Sequence, residues 1–191
     1  KNGGNRHLIT KWVIIIPFIF AVLIPIIYKK VKPARIGWIA LLVPTVLFIV
    51  LLRFIPQIAS GKTIIHTWNW IPTYNISFIT YLDGLSMLFA LLITGMGALV
   101  ILYSIFYLSS KEALHKFYCY LLLFMTAMLG VVLSDHLIML YFFWELTSVS
   151  SFLLIAFWHH RKASRRGAQK SMLITVSGGV AMLIGFLMIS H

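Results

Sequence analysis

Residues 133–158 read LSDHLIMLYFFWELTSVSSFLLIAFW, and this stretch decides the fold of the chain. It is long and apolar enough to cross a lipid bilayer as one helix, which takes about 20 residues. Glu145 lies near its middle, where an ionisable side chain is costly and is therefore a functional hypothesis by default. We interpret the rest of the chain as the scaffold that places and hydrates this group.

The composition extends this interpretation to the whole chain. Of its 191 residues, 61% are hydrophobic and 10% are charged, whereas a soluble domain has about 25% charged residues. The net charge of +12 comes mostly from Lys and Arg in short loops between apolar runs. That pattern indicates membrane topology rather than nucleic-acid binding. The single cysteine, Cys119, excludes an intrachain disulfide and any cysteine-based zinc or iron–sulfur site.

We predict an all-α, polytopic transmembrane helix bundle with about six spans. A basic leader covers residues 1–11, and residues 12–191 form a membrane domain that we interpret as a fragment of a longer protein. The predicted spans are residues 12–28, 36–55, 81–108, 116–133, 136–158 and 170–189. In the long loop over 56–80, two runs rich in β-branched and aromatic residues flank Pro72-Thr73 and predict a small β-hairpin.

The distribution of basic residues predicts the orientation of the bundle. The loops after the first, third and fifth spans carry four, two and four Lys or Arg residues, counting Lys116 with the second of these loops. The loops after the second and fourth spans carry one and none. Because cytoplasmic loops are enriched in Lys and Arg, the first set is expected in the cytoplasm. The N-terminus and the hairpin are then expected outside.

Hydroxyl groups accompany Glu145 along its helix. At 3.6 residues per turn, Tyr141 and Ser148 share its face, while Thr147 and Ser151 lie beside it. Hydroxyls can order water around a carboxylate, as a proton relay requires. Two interpretations stay open: a proton carrier, or a protonated acid that makes one interhelical hydrogen bond. A charged Glu145 needs a counter-ion, which we expect beyond residue 191 or in another subunit.

Four further ionisable residues are candidates for the site. Lys170, at the cytoplasmic end of the sixth span, is either a second station on a path to Glu145 or a lysine that snorkels to the interface. Asp83 and Asp135 precede helices and are expected to cap them, with a role at a pathway mouth as the alternative. His136 is expected to be an interface residue, or else a proton shuttle. The sequence shows no motif for hydrolysis, phosphate binding or metal binding, so no cofactor is predicted.

Short signatures from residue 81 onward resemble a known family. They are DGLS at 83–86, LSD at 133–135, the WE pair at 144–145 and GAQKS at 167–171. Together with the apolar runs around them, they resemble the proton-translocating antiporter-like membrane subunits. That family includes the multisubunit Mrp Na+/H+ antiporters and the large antiporter-like subunits of respiratory complex I. The resemblance is greatest to the A subunits of the Mrp branch.

The resemblance implies roles for individual residues. Glu145 matches the family's essential glutamate on the fifth helix, whose lysine partner lies on a seventh helix outside this chain. Lys170 matches a lysine at the start of the sixth helix, and Asp83 and Asp135 match the acids of the DGLS and LSD signatures. His136 stands where Asn is usual.

The resemblance also implies a function. It is that of a subunit of a monovalent cation (Na+)/proton antiporter in a bacterial cell membrane, which works with other membrane subunits and without a redox cofactor. Val176 and Gly179 replace an Arg and an Asp of the complex I relatives, which favours the Mrp branch. Two alternatives remain: a proton-pumping subunit of an NADH:quinone oxidoreductase, and a structural membrane subunit without transport.

Overall fold

The structure is a computed structural model that describes residues 9–71, 76–109, 112–158 and 160–190. Its elements in chain order are α1 (Ile9–Tyr28), α2 (Pro33–Leu52), α3 (Ile55–Ala59), β1 (Ile64–Ile71), β2 (Ile76–Leu82), α4 (Gly84–Tyr107), α5 (Leu114–Leu133), α6 (Leu137–Ile155) and α7 (Lys162–Ser190). Six of these helices are long and apolar enough to cross a membrane. The predicted helix bundle with one small two-stranded sheet is confirmed.

Helix α5 lies at the centre of the bundle. It packs against α1, α4 and α6, while α2 packs mainly on α4. Large apolar side chains fill the contacts, and those with almost no exposed surface include Ile24, Ile36, Leu51, Ile101, Leu122 and Leu129. Helix α7 is peripheral, because it packs chiefly on α6 and on the short 3₁₀ turn that follows α6. Most of the α7 surface is therefore exposed in this chain.

The hairpin closes one end of the bundle. Strands β1 and β2 are antiparallel, with Ile64 opposite Leu82. The predicted turn at Pro72-Thr73 lies outside the described residues. Strand β2 is also fixed to the turn between α5 and α6: Thr80 forms an isolated antiparallel bridge with Ser134, and the Asp135 amide donates to the Ile79 carbonyl at 3.0 Å. The hairpin therefore sits over the start of α6.

Side chains also join the loops at the opposite end of the bundle. The Trp158 indole N–H donates to Oε1 of Glu112 at 3.3 Å. The Arg161 guanidinium lies over the Trp158 ring, 5.1 Å from its centroid, which is a favourable cation–π distance. The connection between α4 and α5 is thus attached to the connection between α6 and α7.

Several helix boundaries differ from the prediction. The third span was expected from residue 81, but β2 continues to Leu82 and α4 begins at Gly84. The sixth span was expected from residue 170, but α7 begins at Lys162. The basic segment before residue 170 is rich in Lys, Arg, Ala and Gln, which favour helix, so the helix extends beyond its apolar part. Residues 1–8 of the predicted leader are outside the described residues, and α1 begins at Ile9.

Candidate functional site

The Glu145 carboxylate lies at the interface between α6 and α7. Its Oε1 atom is packed so closely against Gly179 of α7 that a methyl group there would overlap it. This oxygen is buried and has no hydrogen-bond partner among the described residues. The Tyr141 phenol, one turn earlier on α6, lies close enough to the same carboxylate for an electrostatic interaction. The predicted shared face of Tyr141 and Glu145 therefore points to α7.

A cavity of about 480 Å³ lies between α5, α6 and α7. Four of its lining residues carry hydroxyls, namely Thr147, Ser148, Ser151 and Thr175, while most of the lining surface is apolar. Neither Glu145 nor Gly179 lines the cavity, but their chain neighbours Trp144 and Gly178 do. Ser148, predicted on the face of Glu145, is thus part of the cavity wall.

The cavity hydroxyls donate to their own helices. Thr147 donates to the Trp144 carbonyl at 2.6 Å, and Ser148 donates to the same carbonyl at 3.4 Å. Thr175 donates to the Ser171 carbonyl at 2.9 Å. A hydroxyl used in this way keeps lone pairs that can accept hydrogen bonds. Among the side chains of this largely apolar wall, the hydroxyl oxygens are therefore the groups that can accept a hydrogen bond from water.

The four cavity hydroxyls lie on the side of Glu145 that faces the basic end of α7, residues 162–170, whereas Met182 of the lining lies on the other side. Helices α6 and α7 follow each other through a short connection and run antiparallel. Ser151 lies about 9 Å beyond Glu145 along α6, and Thr175 lies about 6 Å before Gly179 along α7, at 1.5 Å per residue. Both displacements point to the end of the bundle where α7 begins. The hydroxyls thus lie between the level of Glu145 and that end.

Lys170 lies farther along α7 in the same direction. It is nine residues before Gly179, which places it about 13 Å from the level of Glu145 along the helix axis. Its side chain is exposed in this chain. The structure does not bring Lys170 to the carboxylate. Because α7 begins at Lys162, Lys170 is in the third turn of the helix and not at its first residue, as the predicted span had it.

The acidic residues at the hairpin end differ in what they do. Asp83 caps α4: its carboxylate Oδ1 accepts from the Ser86 amide at 2.8 Å, and the Ser86 hydroxyl accepts from the Asp83 amide at 2.8 Å. Asp135 does not cap α6, so that expectation is wrong. The Asp135 backbone pairs with β2, and the helix starts later. His136 takes the capping position, where its Nδ1 accepts from the Ile138 amide at 3.3 Å.

We expect the Asp83 cap to stabilise the junction between β2 and α4. Replacing an N-cap Asp with Ala costs about 1 kcal/mol, whereas Asn caps nearly as well. Asp83→Ala should therefore lower the thermal unfolding midpoint of the full-length protein in detergent, and Asp83→Asn should change it less. Equal midpoints for Asp83→Ala and the unmodified protein would show that the cap is dispensable.

The same cap gives a pH dependence of known sign. Hydrogen bonds from the Ser86 side chain and amide lower the pKa of the Asp83 carboxyl group. A carboxyl group with a lowered pKa adds stability above its ordinary pKa, and this contribution is lost as the pH falls through the lowered value. The difference between the Asp83→Ala variant and the unmodified protein should accordingly shrink in acid.

One residue of the site escaped the sequence analysis. Gly179 was noted only as a departure from the complex I relatives, yet it is the residue that Oε1 of Glu145 touches. The pair Gly178-Gly179 in an apolar helix was the available signal, because small residues let membrane helices approach closely. Which of the two glycines faces α6 depends on the register between two helices, which the sequence of α7 alone does not contain.

Two family models match the chain. The first, described as "NADH-Ubiquinone oxidoreductase (complex I), chain 5 N-terminus", matches residues 68–118. The second, described as "NADH:quinone oxidoreductase/Mrp antiporter, TM", matches residues 134–191 and so includes Glu145, Lys170 and Gly179. The fold and these matches define the class as an antiporter-like, multi-pass membrane subunit.

The chain belongs to the family of antiporter-like membrane subunits shared by complex I and the Mrp antiporters. It is 61% identical over 177 residues to Na(+)/H(+) antiporter subunit A1 of Staphylococcus haemolyticus (strain JCSC1435), which covers 93% of this chain and 22% of that protein. It is 57% identical over the same length to subunit A1 of Staphylococcus aureus. The resemblance inferred from the DGLS, LSD, WE and GAQKS segments is confirmed. The chain spans about a fifth of the length of these relatives.

Solved structures show the same fold. A chain of the Mrp complex from Dietzia sp. DQ12-45-1b superposes with a TM-score of 0.78 at 26% identity, over 92% of this chain and 18% of that chain. A chain of the membrane-bound sulfane sulfur reductase, an archaeal respiratory membrane complex, superposes with a TM-score of 0.81 at 22% identity, over 93% of this chain and 36% of that chain. The second likeness concerns the fold alone.

Proposed function

We propose that this chain is part of a subunit of a multisubunit Na+/H+ antiporter and that Glu145 carries the proton. The observation that supports this most is a buried carboxylate beside a hydroxyl-lined cavity, in a chain 61% identical to a Na+/H+ antiporter subunit. A cation that approaches a buried carboxyl group favours release of its proton, and its withdrawal favours uptake. Such a cycle couples cation movement to proton movement without a redox cofactor and without enzyme chemistry.

We further propose Lys170 as a second station between the cytoplasm and Glu145. It lies at the end of the bundle that the cavity hydroxyls face. Among the described residues, no cationic side chain lies next to Glu145. The counter-ion is expected to come from a helix outside this chain. Helix α7 leaves most of its surface exposed, so its outer faces are available to such a helix.

The proposed setting is a bacterial cell membrane, with other membrane subunits as partners and with protons and Na+ as the transported ions. Lys and Arg are in excess in the loops at the basic end of α7. This excess favours an orientation with that end inside and with the N-terminus and the hairpin outside. In this orientation Asp83, Asp135 and His136 belong to the outer end. Their distance from Glu145 makes them candidates for an outer pathway mouth and not for the proton site itself.

A transport assay tests this function. The full-length protein and its partner subunits are placed in vesicles from a strain without its own Na+/H+ antiporters, and the internal pH is followed with a fluorescent dye. We expect Na+ addition to collapse a preformed pH gradient without NADH. Vesicles that contain the fully assembled complex but show no ion movement would support the structural alternative instead.

The complex I family models give one observation in favour of a second function, a proton-pumping subunit of an NADH:quinone oxidoreductase. That function predicts proton movement that depends on NADH and quinone. It also predicts flavin and iron–sulfur absorbance in the purified native complex. Na+-driven proton movement by a complex without these absorbances would exclude it.

A further inference from the structure

We propose that Gly179 is a positioning residue for Glu145: by lacking a side chain, it lets the carboxylate rest against the α7 backbone, outside the adjacent cavity. This inference rests on the proposed function, since it concerns the group that would carry the proton. Glycine is the residue that allows the closest approach to a helix backbone. The position of the acid is therefore set from α7, and not by α6 alone.

The contact face of α7 is made of small residues. Ala168 is 1% exposed, and Gly179 is also buried, although its helix is mostly exposed. These two residues are eleven positions apart, which is close to three helical turns, so they lie on one face. At Gly179 the neighbour on α6 is the carboxylate of Glu145.

Gly185 provides a comparison within the same helix. A methyl group built at Gly185 would meet no other atom within 4 Å, while one built at Gly179 would overlap Oε1 of Glu145. Both glycines have the same helix propensity, and Gly185 is not among the residues that line the cavity. A difference between their alanine variants would therefore report the contact with Glu145 and not the general cost of changing a glycine.

A side chain at position 179 would push the carboxylate of Glu145 away from the α7 backbone. Tyr141 is the titratable group beside Glu145 on α6. Helix α5 faces the neighbouring cavity with Phe124, Met128 and Val131, and α7 faces it with Thr175, Gly178 and Met182, none of which titrates. The displaced acid would thus lose its place against Gly179 without gaining a charged partner from these cavity residues.

The test uses the full-length protein in its assembled complex. We expect Gly179→Ala to lower the rate of Na+-dependent proton movement at least about tenfold, because small displacements of a reacting group have large effects on rate. The pH profile of the remaining activity should also move. Gly185→Ala should stay within about twofold of the unmodified protein, since its added methyl group meets no other atom within 4 Å.

A second substitution tests the contact itself. Aspartate is one methylene group shorter than glutamate, so Glu145→Asp combined with Gly179→Ala leaves room for the new methyl group. We expect the double variant to be more active than the Gly179→Ala variant. If Gly179→Ala prevents assembly, the amount of complex in the membrane is measured in place of the transport rate. Recovery of complex in the Glu145→Asp or Glu145→Ala double variants would support the contact, and no recovery in either would overturn the proposal.

The outcomes separate this inference from the proposed function. If Glu145→Gln is inactive while Gly179→Ala behaves like Gly185→Ala, Gly179 does not position the acid and the proposed function stands. If Glu145→Gln is fully active, the proposed function fails, and the positioning role fails with it.

Discussion

Replacing Glu145 with Gln should abolish Na+-dependent proton movement by the full-length protein in its assembled complex. The amide has nearly the same shape as the carboxylic acid, so it can occupy the place against Gly179 and stay beside Tyr141. It cannot take up and release a proton in the working pH range. The loss would therefore come from the missing proton site and not from repacking of α6 against α7. The measurement is the collapse of a pH gradient after Na+ addition, scaled to the amount of complex.

Glu112→Gln is the matched control for this prediction. Glu112 is the other glutamate of the chain, and it lies in the connection between α4 and α5, where it accepts from the Trp158 indole. An amide oxygen can accept the same hydrogen bond, so the variant removes one charge and leaves the contact. We expect it to keep most of the exchange activity. Normal exchange by a well-assembled Glu145→Gln variant would refute the proton role of Glu145.

The spans and the polar face could be predicted because each depends on one segment alone. The lengths of the apolar runs identify six spanning helices, and the 3.6-residue period places Tyr141 and Ser148 with Glu145. In the structure Tyr141 interacts with the carboxylate and Ser148 lines the cavity. The hairpin was predictable for the same reason, because its two runs of β-branched and aromatic residues flank a local turn signal.

The features that could not be predicted depend on two segments at once. The contact between Glu145 and Gly179 requires the register of α6 against α7. The capping of α6 by His136 and not by Asp135 results from β2, which binds the Asp135 amide and holds that residue in extended conformation. The early start of α7 has a simpler cause: the hydropathy pattern marks where the membrane begins, while helix propensity decides where the helix begins.

Filling the cavity at Thr175 should be nearly as harmful as losing Glu145. Thr175→Phe would place a ring in the space between Ser148 and Ser151 and would exclude the water that the hydroxyls can hold. A proton could then reach Glu145 from the basic end of α7 only across apolar side chains. We expect the exchange rate to fall at least about tenfold, which corresponds to about 1.4 kcal/mol on the limiting barrier. Thr175→Val, which removes the hydroxyl at constant size, should have a smaller effect.

Two control variants on the same helix test whether the loss of activity is specific to the cavity. Leu173→Phe adds an aromatic ring at a position that is 74% exposed and outside the cavity lining. Ser177→Ala removes a hydroxyl that, like that of Thr175, donates to carbonyls of its own helix, but that also lies outside the lining. Both should stay close to the unmodified rate. If Thr175→Phe exchanges ions as fast as these controls, protons reach Glu145 by another route, and the hydroxyl-lined cavity contributes to packing and not to transport.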